Sequence, residues 1–282
     1  MDNLKAKKRH PEEIAVYSAI YVCAAFSVLL LLGIIVYVFA KGARRVNWAF
    51  LTGVTSILHG TVGIAGNILN TLIIILLTMI ITTPIGVGAA IYLNEYAKPG
   101  KLVTVIIFAT ETLAGIPSII FGLFGMLFFG QLCHMGYSLL TGSLTLTLMV
   151  LPLVTRNTQE ALKTVPDSFR TGAVGLGAGK WYTIRTILLP SAMPGIVTGV
   201  ILAIGRIIGE SAALLFTAGS AHLLPKTFDA FLEKIFHSGG TLTIQLYLSA
   251  SKGEFEVAFG IAVVLLVIVL LINFGTKKLE KH

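Results

Sequence analysis

The sequence predicts an all-α membrane protein that crosses the bilayer six times. Of its 282 residues, 55% are hydrophobic and only 12% are charged, whereas a soluble domain has about 25% charged residues. The mean hydropathy is +0.88. The uncharged residues form blocks of about 20, the length of a transmembrane helix. Helices are expected throughout, because strands would leave unpaired backbone groups in lipid.

The apolar blocks set the predicted spans, which lie within 14–40, 68–93, 116–129, 139–154, 195–217 and 257–274. The segment 46–66 is uncharged but rich in Gly, Thr and Ser, which favours a loop or an interfacial segment. The segment 102–113 contains Glu111 and is expected to lie along the cytoplasmic interface. The predicted divisions are a tail (1–13), a first helix with an outer loop (14–66), a transmembrane domain (67–275) and a second tail (276–282).

Lysine and arginine are unevenly distributed between the two sides of the predicted bundle. With the N-terminus inside, the inner segments contain fourteen of these residues and the outer segments contain six. Cytoplasmic loops carry the excess of positive charge. The count therefore predicts a multi-pass protein of the cell membrane with both termini in the cytoplasm.

The sequence lacks the residues that several classes of function require. The sequence shows no soluble fold with a basic face, which binding to nucleic acid would require. No spacing of His or Cys predicts a metal site. Cys23 and Cys133 lie in apolar runs and are predicted to be buried thiols. Lys180 is followed by Trp181, and no glycine stands at position 174, so the chain has no phosphate-binding loop for ATP. The chain is therefore not predicted to be an enzyme or to bind a cofactor itself.

The loop 156–190 is the longest charged cytoplasmic segment, and it has an internal pattern. Pro166 and Asp167 favour the start of a short helix. Its predicted apolar stripe comprises Phe169, Ala173 and Leu176. Glycines at 175, 177 and 179 are expected to end this helix, and a second one is predicted over 181–188. The loop is either a solvated connector or an element that docks a soluble partner, and a connector needs neither the stripe nor the bend.

This loop resembles the EAA loop of bacterial ABC import permeases, in which three further residues, a glycine, nine residues and I-x-L-P follow the E-A-A triplet. Here Thr171-Gly172-Ala173 occupies the triplet, Gly177 is the glycine, and 187–190 ends in Leu189-Pro190. The departures are Thr171 for Glu and Gly172 for Ala, which remove one acidic contact. The resemblance implies a type I ABC importer transmembrane fold. It also implies a loop that contacts an ATPase subunit, in which Phe169 takes part.

Two further stretches, 113–125 and 205–219, are similar to signatures of phosphate permeases, and the second is more like the PstA type than the PstC type. The similarity covers most of 67–275. It implies a permease subunit of an ATP-driven phosphate importer. The implied partners are a PstC-type permease, a PstB-type ATPase dimer that binds ATP and Mg, and an extracytoplasmic PstS-type phosphate-binding protein.

Arg206 and Glu210 are four residues apart in the predicted fifth span, which would place them on one helix face near Thr217. Buried charges in a membrane face the bundle interior or a polar path. The pair is either an internal ion pair that fixes packing or a phosphate pathway in which Arg206 contacts the anion. Glu111 and Arg156 are secondary pathway candidates or interface anchors.

Two other functions remain open on sequence alone. One is a permease for another oxyanion, and the other is a stand-alone ion-coupled anion carrier. Such a carrier would usually contain inverted repeats and broken helices in both halves, and neither is visible. An intramembrane enzyme would need paired catalytic residues at one depth. Retention of a soluble ATPase in a pull-down separates the permease from the carrier.

Overall fold

The computed structural model of the protein describes residues 11–56, 61–225 and 227–279. Most of the predicted N-terminal tail and the last three residues of the predicted C-terminal tail lie outside these residues. The described chain is almost entirely helical. Its helices are α1 (Pro11–Gly42), α2 (Trp48–Thr52), α3 (Ala65–Ile91), α4 (Lys101–Gly115), α5 (Ser118–Gly125), α6 (Leu139–Thr164), α7 (Asp167–Gly175), α8 (Lys180–Thr183), α9 (Leu189–Gly209), α10 (Ala212–Thr217), α11 (Phe228–Lys234), α12 (Leu242–Ser251) and α13 (Phe255–Leu279).

Five helical stretches in the described residues are long and apolar enough to cross a membrane, and a bent helix pair adds a sixth when it is counted as one span. The five are 15–45, 65–96, 139–164, 180–209 and 255–275. The predicted number of six spans is confirmed with the bent pair included. The fifth predicted span, 195–217, is wrong at its end, because α9 stops at Gly209 and a separate helix follows.

The bent pair consists of α4 and the stretch 118–132, which meet at an angle of 102°. Pro117 lies at the break, where it lacks an amide hydrogen and forces the preceding Ile116 into an extended conformation with ψ 132°. This break separates 102–113 from the helix that follows, and the interfacial position of 102–113 stays a prediction. A π-helical segment, Met126–Leu132, extends α5.

α6 lies at the centre of the bundle. Two-thirds of its apolar window (67%) is buried, whereas none of the window of α1 is. Its core residues Leu146, Val150 and Val154 pack with residues of α3 and α9, including Ile74 and Ile207. α1 packs chiefly on α13 at the edge of the molecule. Cys23, on α1, and Cys133 are both exposed, so the prediction of buried thiols is wrong.

Gly86 and Gly88 of α3 provide a matched test of this packing. A Cβ atom at Gly86 would lie 2.9 Å from Cγ1 of Val154, whereas a Cβ atom at Gly88 would meet no atom within 4 Å. Overpacking a well-filled core costs about 1–3 kcal/mol. We expect Gly86→Val to lower the thermal unfolding midpoint of the detergent-purified importer and Gly88→Val to leave it nearly unchanged. Equal midpoints for the two variants would contradict this packing.

The segment 46–66, predicted as a loop or interfacial segment, contains α2 and a hairpin. Strands β1 (Val54–Ser56) and β2 (Thr61–Ile64) are antiparallel, with Val54 opposite Ile64. Asn47 caps α2, since its side chain accepts a hydrogen bond from the Phe50 amide at 2.8 Å. Phe50 and Ile64 are buried in a small core with Leu242 of α12 and residues of α13. This unit covers one end of the bundle.

The 219–255 loop is fixed to the start of α3 by buried amides. The Asn67 side chain donates a hydrogen bond to the Gly240 carbonyl at 2.9 Å, and Asn70 donates to the carbonyls of Ala221 and Gly240, both at 3.0 Å. The hydroxyl of Thr71 accepts one from the Leu242 amide at 3.0 Å. The loop is therefore a structured cap rather than a free connector.

Candidate functional site

The helix that carries Arg206 ends three residues later. Gly209 is the last residue of α9, and Glu210 is extended with φ −81° and ψ 123°. Oε1 of Glu210 accepts a hydrogen bond from the Ala213 amide at 3.0 Å, which satisfies one of the free amides at the start of α10. The prediction that Arg206 and Glu210 share a helix face is therefore wrong. Glu210 instead stabilises the break between two helices.

Arg206 is exposed and lies outside the buried stripe of α9, which contains Ile196, Gly199, Ala203 and Ile207. Within 11–56, 61–225 and 227–279 the structure gives Arg206 no ion pair. The predicted internal ion pair with Glu210 does not form in this chain. The guanidinium group faces away from the protein's own core.

The depth of Arg206 follows from the packing of α9 on α6. Cβ atoms added at Gly195 and Gly199 would lie 2.6 Å and 2.7 Å from the Cβ atoms of Ala161 and Asn157, so the helices run antiparallel. Continuing this register places Arg206 beside the level of Val150. At 1.5 Å per residue, that level is roughly 16 Å from one end of α6 and roughly 21 Å from the other. Arg206 therefore lies level with the middle of α6.

Thr217, a predicted neighbour of this face, lies on α10 instead. It is fully buried, and its hydroxyl donates a hydrogen bond to the Ala213 carbonyl at 2.8 Å. Its own carbonyl accepts one from the Ser138 amide at 3.1 Å. In this conformation Thr217 joins α10 to the start of α6 and is not accessible to an anion.

Glu111 and Arg156 are brought together at a different place. Both line a cavity of about 170 Å³ between α4 and α6, whose wall also includes Glu160 and Lys163. Nε of Arg156 lies 3.2 Å from Oε1 of Glu160, and both side chains are more than half exposed. Such a surface pair contributes little to stability. The structure thus groups the two secondary candidates with each other.

The second half of the 156–190 loop folds into a helical knob, defined here as residues 165–183. α6 continues to Thr164, α7 follows, and α8 leads through a π-helical segment, Ile184–Leu188, into α9. The two short helices and the glycine bend are thereby confirmed. Gly177 has φ +80°, a conformation that favours glycine, and its amide donates to the Val174 carbonyl at 2.9 Å. This turn reverses the chain between the two helices.

The apolar side chains of the knob do not form one buried stripe. Ala173 is buried, whereas Phe169 is half exposed and Leu176, which lies beyond the end of α7, is 91% exposed. Trp181 and Tyr182 add exposed aromatic surface on the second helix. Grouped exposed apolar side chains mark an interaction surface.

The remaining residues of the loop pattern have structural roles. Thr171 and Gly172 are exposed, and the Thr171 hydroxyl donates to the Asp167 carbonyl of its own helix at 3.2 Å. Leu189 begins α9 and packs against a small core with Leu188. Pro190 is the second residue of α9 and directly follows the π-helical segment.

Arg170 joins the knob to two membrane helices, and no pattern in the sequence indicates this role. Its Nη2 donates to Oε1 of Glu95 and to the Leu162 carbonyl, both at 2.9 Å. Its Nη1 donates to the Val165 carbonyl and to Asp167 Oδ1, both at 3.0 Å. The hydrogen bond to Glu95 raises the pKa of Arg170 above its usual value.

Glu95 belongs to the π-helical segment Tyr92–Tyr96 that continues α3. Its side chain is 8% exposed and that of Arg170 is 22% exposed, so the pair is largely shielded from solvent. The planar guanidinium group can serve all these acceptors at once. Lys180 of the knob also lies over the Tyr96 ring, with Nζ 4.7 Å from the centroid. The knob is thus bonded to the ends of α3 and α6.

Comparison with known proteins agrees with this architecture. Residues 82–282 match the family described as binding-protein-dependent transport system inner membrane component. The chain is 36% identical over 265 residues to a probable ABC transporter permease protein, YqgI, of Bacillus subtilis, with 90% of each chain covered. It is 34% identical over 244 residues to the phosphate transport system permease protein PstA of Xylella fastidiosa, with 85% of this chain and 82% of that one covered.

Solved structures of transporters share the fold. A crystal structure of a bacterial alginate ABC transporter matches with a TM-score of 0.69 at 16% identity, covering 96% of each chain. The MetNI methionine ABC transporter, in an inward-facing conformation, matches with a TM-score of 0.59 at 22% identity, covering 78% of this chain and 93% of that one. These likenesses show the type I importer transmembrane fold.

The chain therefore belongs to the family of binding-protein-dependent transport system inner membrane components, the permease subunits of ABC importers. Such a subunit is a multi-pass transport component rather than an enzyme, and it works with an ATPase and a substrate-binding protein. Within this family it is a PstA-type permease.

Proposed function

We propose that this chain forms part of the route by which inorganic phosphate enters the cell through an ATP-driven importer. The observation that carries the proposal is Arg206, a cation without an ion pair within the described chain that lies level with the middle of α6, inside the membrane-crossing bundle. A charge facing lipid at this depth costs several kcal/mol, so the exposed face of α9 must meet a polar path or a partner. A guanidinium group binds phosphate oxygens with two parallel hydrogen bonds.

Glu210 has a supporting role in this proposal. By capping α10 it fixes the break four residues after Arg206. A carboxylate there also accepts a hydrogen bond from a protonated phosphate and keeps the site weak. Weak binding suits a transporter, because a tightly held anion would leave slowly.

The partners that complete this importer are a PstC-type permease, a PstB-type ATPase dimer and an extracytoplasmic PstS-type binding protein. The PstA naming of the relatives supports these identities. In this proposal ATP and Mg bind the ATPase. The termini and the knob lie in the cytoplasm, in keeping with the excess of Lys and Arg on that side.

The knob carries the movement of the ATPase to the bundle. Its exposed apolar residues, Phe169, Leu176 and Trp181, supply the docking surface. Closure of the ATPase dimer on ATP displaces the knob, and the bonds of Arg170 pass the displacement to α3 and α6. The bundle then alternates between outward-open and inward-open forms, and the binding protein releases phosphate into the outward-open one.

Phosphate-dependent ATP hydrolysis by the reconstituted complex tests this function. We expect phosphate-loaded binding protein to stimulate the hydrolysis rate several-fold over the empty protein, because the substrate signal must cross the permease pair to reach the ATPase. The measurement is the ATPase activity of proteoliposomes in a buffer without phosphate, followed by coupled NADH oxidation.

Sulfate and molybdate are the substrate controls, and this chain alone in liposomes is the control for a carrier. Stimulation by sulfate or molybdate with none by phosphate would reassign the substrate to another oxyanion. Anion uptake by the chain without an ATPase would mean that the protein is an ion-coupled carrier and not an importer subunit.

A further inference from the structure

The end of the bundle opposite the knob contains a second charged site, away from Arg206. The last turns of α1 and the first turns of α13 enclose a cleft of about 680 Å³. Lys41, Arg44 and Arg45 line it on one side, and Glu256 faces them from α13. The cleft is therefore lined by three cationic groups and one carboxylate.

These cations have no carboxylate partner within 4.0 Å in the described parts of the chain. Lys41 and Arg44 are exposed. Arg45 is half-buried, and its Nε is buried without a hydrogen-bond partner. Its guanidinium carbon lies 5.9 Å from the Phe50 ring centroid, so the ring borders this group on one side. A buried donor without a partner is costly, so an oxygen-rich anion in the cleft would be stabilising.

The position of the cleft indicates the source of that anion. The apolar window of α1 has none of its residues buried in the protein. The uncharged run of this helix ends at Ala40, directly before Lys41. Lipid headgroups therefore lie at the level of the cleft. Tyr37 and Phe259, whose rings meet edge to face with centroids 5.7 Å apart, form the apolar floor beneath the charges. Aromatic side chains of this kind are enriched at the membrane–water interface.

We propose that this cleft binds the phosphodiester headgroup of an anionic phospholipid, in the leaflet on the side opposite the knob. The phosphate oxygens accept from Lys41, Arg44 and Arg45, and the glycerol backbone and first methylenes lie on Tyr37 and Phe259. The lipid fills the junction between α1 and α13. Since α1 packs chiefly on α13, the bound lipid holds the first span against the bundle. This inference does not depend on which anion the importer carries.

Native mass spectrometry of the delipidated full importer tests the proposal. We expect phosphatidylglycerol to bind and phosphatidylcholine, whose headgroup has no net charge, to bind much more weakly. Each basic residue near a membrane surface contributes about fivefold to the affinity for anionic lipid, so the double variant Lys41→Gln/Arg44→Gln should lose about 30-fold. Both side chains are exposed, so the variant should fold, which its thermal midpoint checks.

Lys252→Gln is the matched control, because Lys252 is an exposed cation just before α13 that does not line the cleft. It should bind phosphatidylglycerol like the wild type. Unchanged affinity in the double variant, or equal loss in the control, would overturn the site. Displacement of the lipid by millimolar inorganic phosphate would also overturn it, since it would make the cleft a site for free anion.

Discussion

Arg206→Ala is expected to abolish phosphate uptake while the importer remains assembled. The side chain is exposed on the face of α9 turned away from α6, so its removal leaves no cavity in the bundle. Losing one partner of a desolvated, hydrogen-bonded charge pair costs about 2–5 kcal/mol, and the lower end of that range already corresponds to a loss of about 30-fold. The measurement is uptake of labelled phosphate into proteoliposomes, with size-exclusion chromatography to follow assembly.

Leu202→Ala is the control for this face of α9. Leu202 lies one helical turn before Arg206 and is also exposed, but it has no charge to offer an anion. It should transport normally. Arg206→Lys should retain part of the activity, because an ammonium group keeps the charge and loses the paired hydrogen bonds. Transport by Arg206→Ala at the wild-type rate would remove this residue from the route.

The fold was predictable where one local signal determines it. Apolar length predicted the spans, and the break between α4 and α5 has a local cause, because Pro117 restricts the conformation of Ile116. The bend at Gly177 was also predictable from one residue, because glycine readily adopts a positive φ. The resemblance of loop 156–190 to a known coupling loop predicted which segment projects from the bundle.

The site was less predictable, because its geometry depends on where a helix ends and on residues far apart in sequence. Glycine is frequent in membrane helices, so Gly209 did not indicate a stop, and the four-residue spacing of Arg206 and Glu210 predicted a shared face. The end of α9 at Glu210 is stabilised by hydrogen bonds with Ala213 and with Thr243, whose hydroxyl donates to the Glu210 carbonyl at 2.8 Å. No spacing rule connects positions 210 and 243.

The partner of Arg170 was hidden for the same reason, since Glu95 is 75 residues away in sequence.

Arg170→Ala is expected to uncouple the importer. The change leaves the Glu95 carboxylate shielded without its cation and frees two carbonyls at the end of α6, and removing one partner of a buried ion pair costs about 3–5 kcal/mol. We expect ATP hydrolysis to continue at its basal rate, to lose its stimulation by loaded binding protein, and uptake to fall at least tenfold.

Variants of the two carboxylates bonded to Arg170 distinguish this coupling role from a general effect of charge. Glu95 is 8% exposed and Asp167 is 91% exposed, although each lies about 3 Å from the guanidinium group. Exposed pairs contribute about 0–1 kcal/mol. Glu95→Gln should therefore reproduce most of the loss of stimulation, whereas Asp167→Asn should keep nearly all of it. Equal effects of the two variants would mean that the knob is not held through Glu95, and normal coupling in Arg170→Ala would mean that the ATPase moves the bundle by another contact.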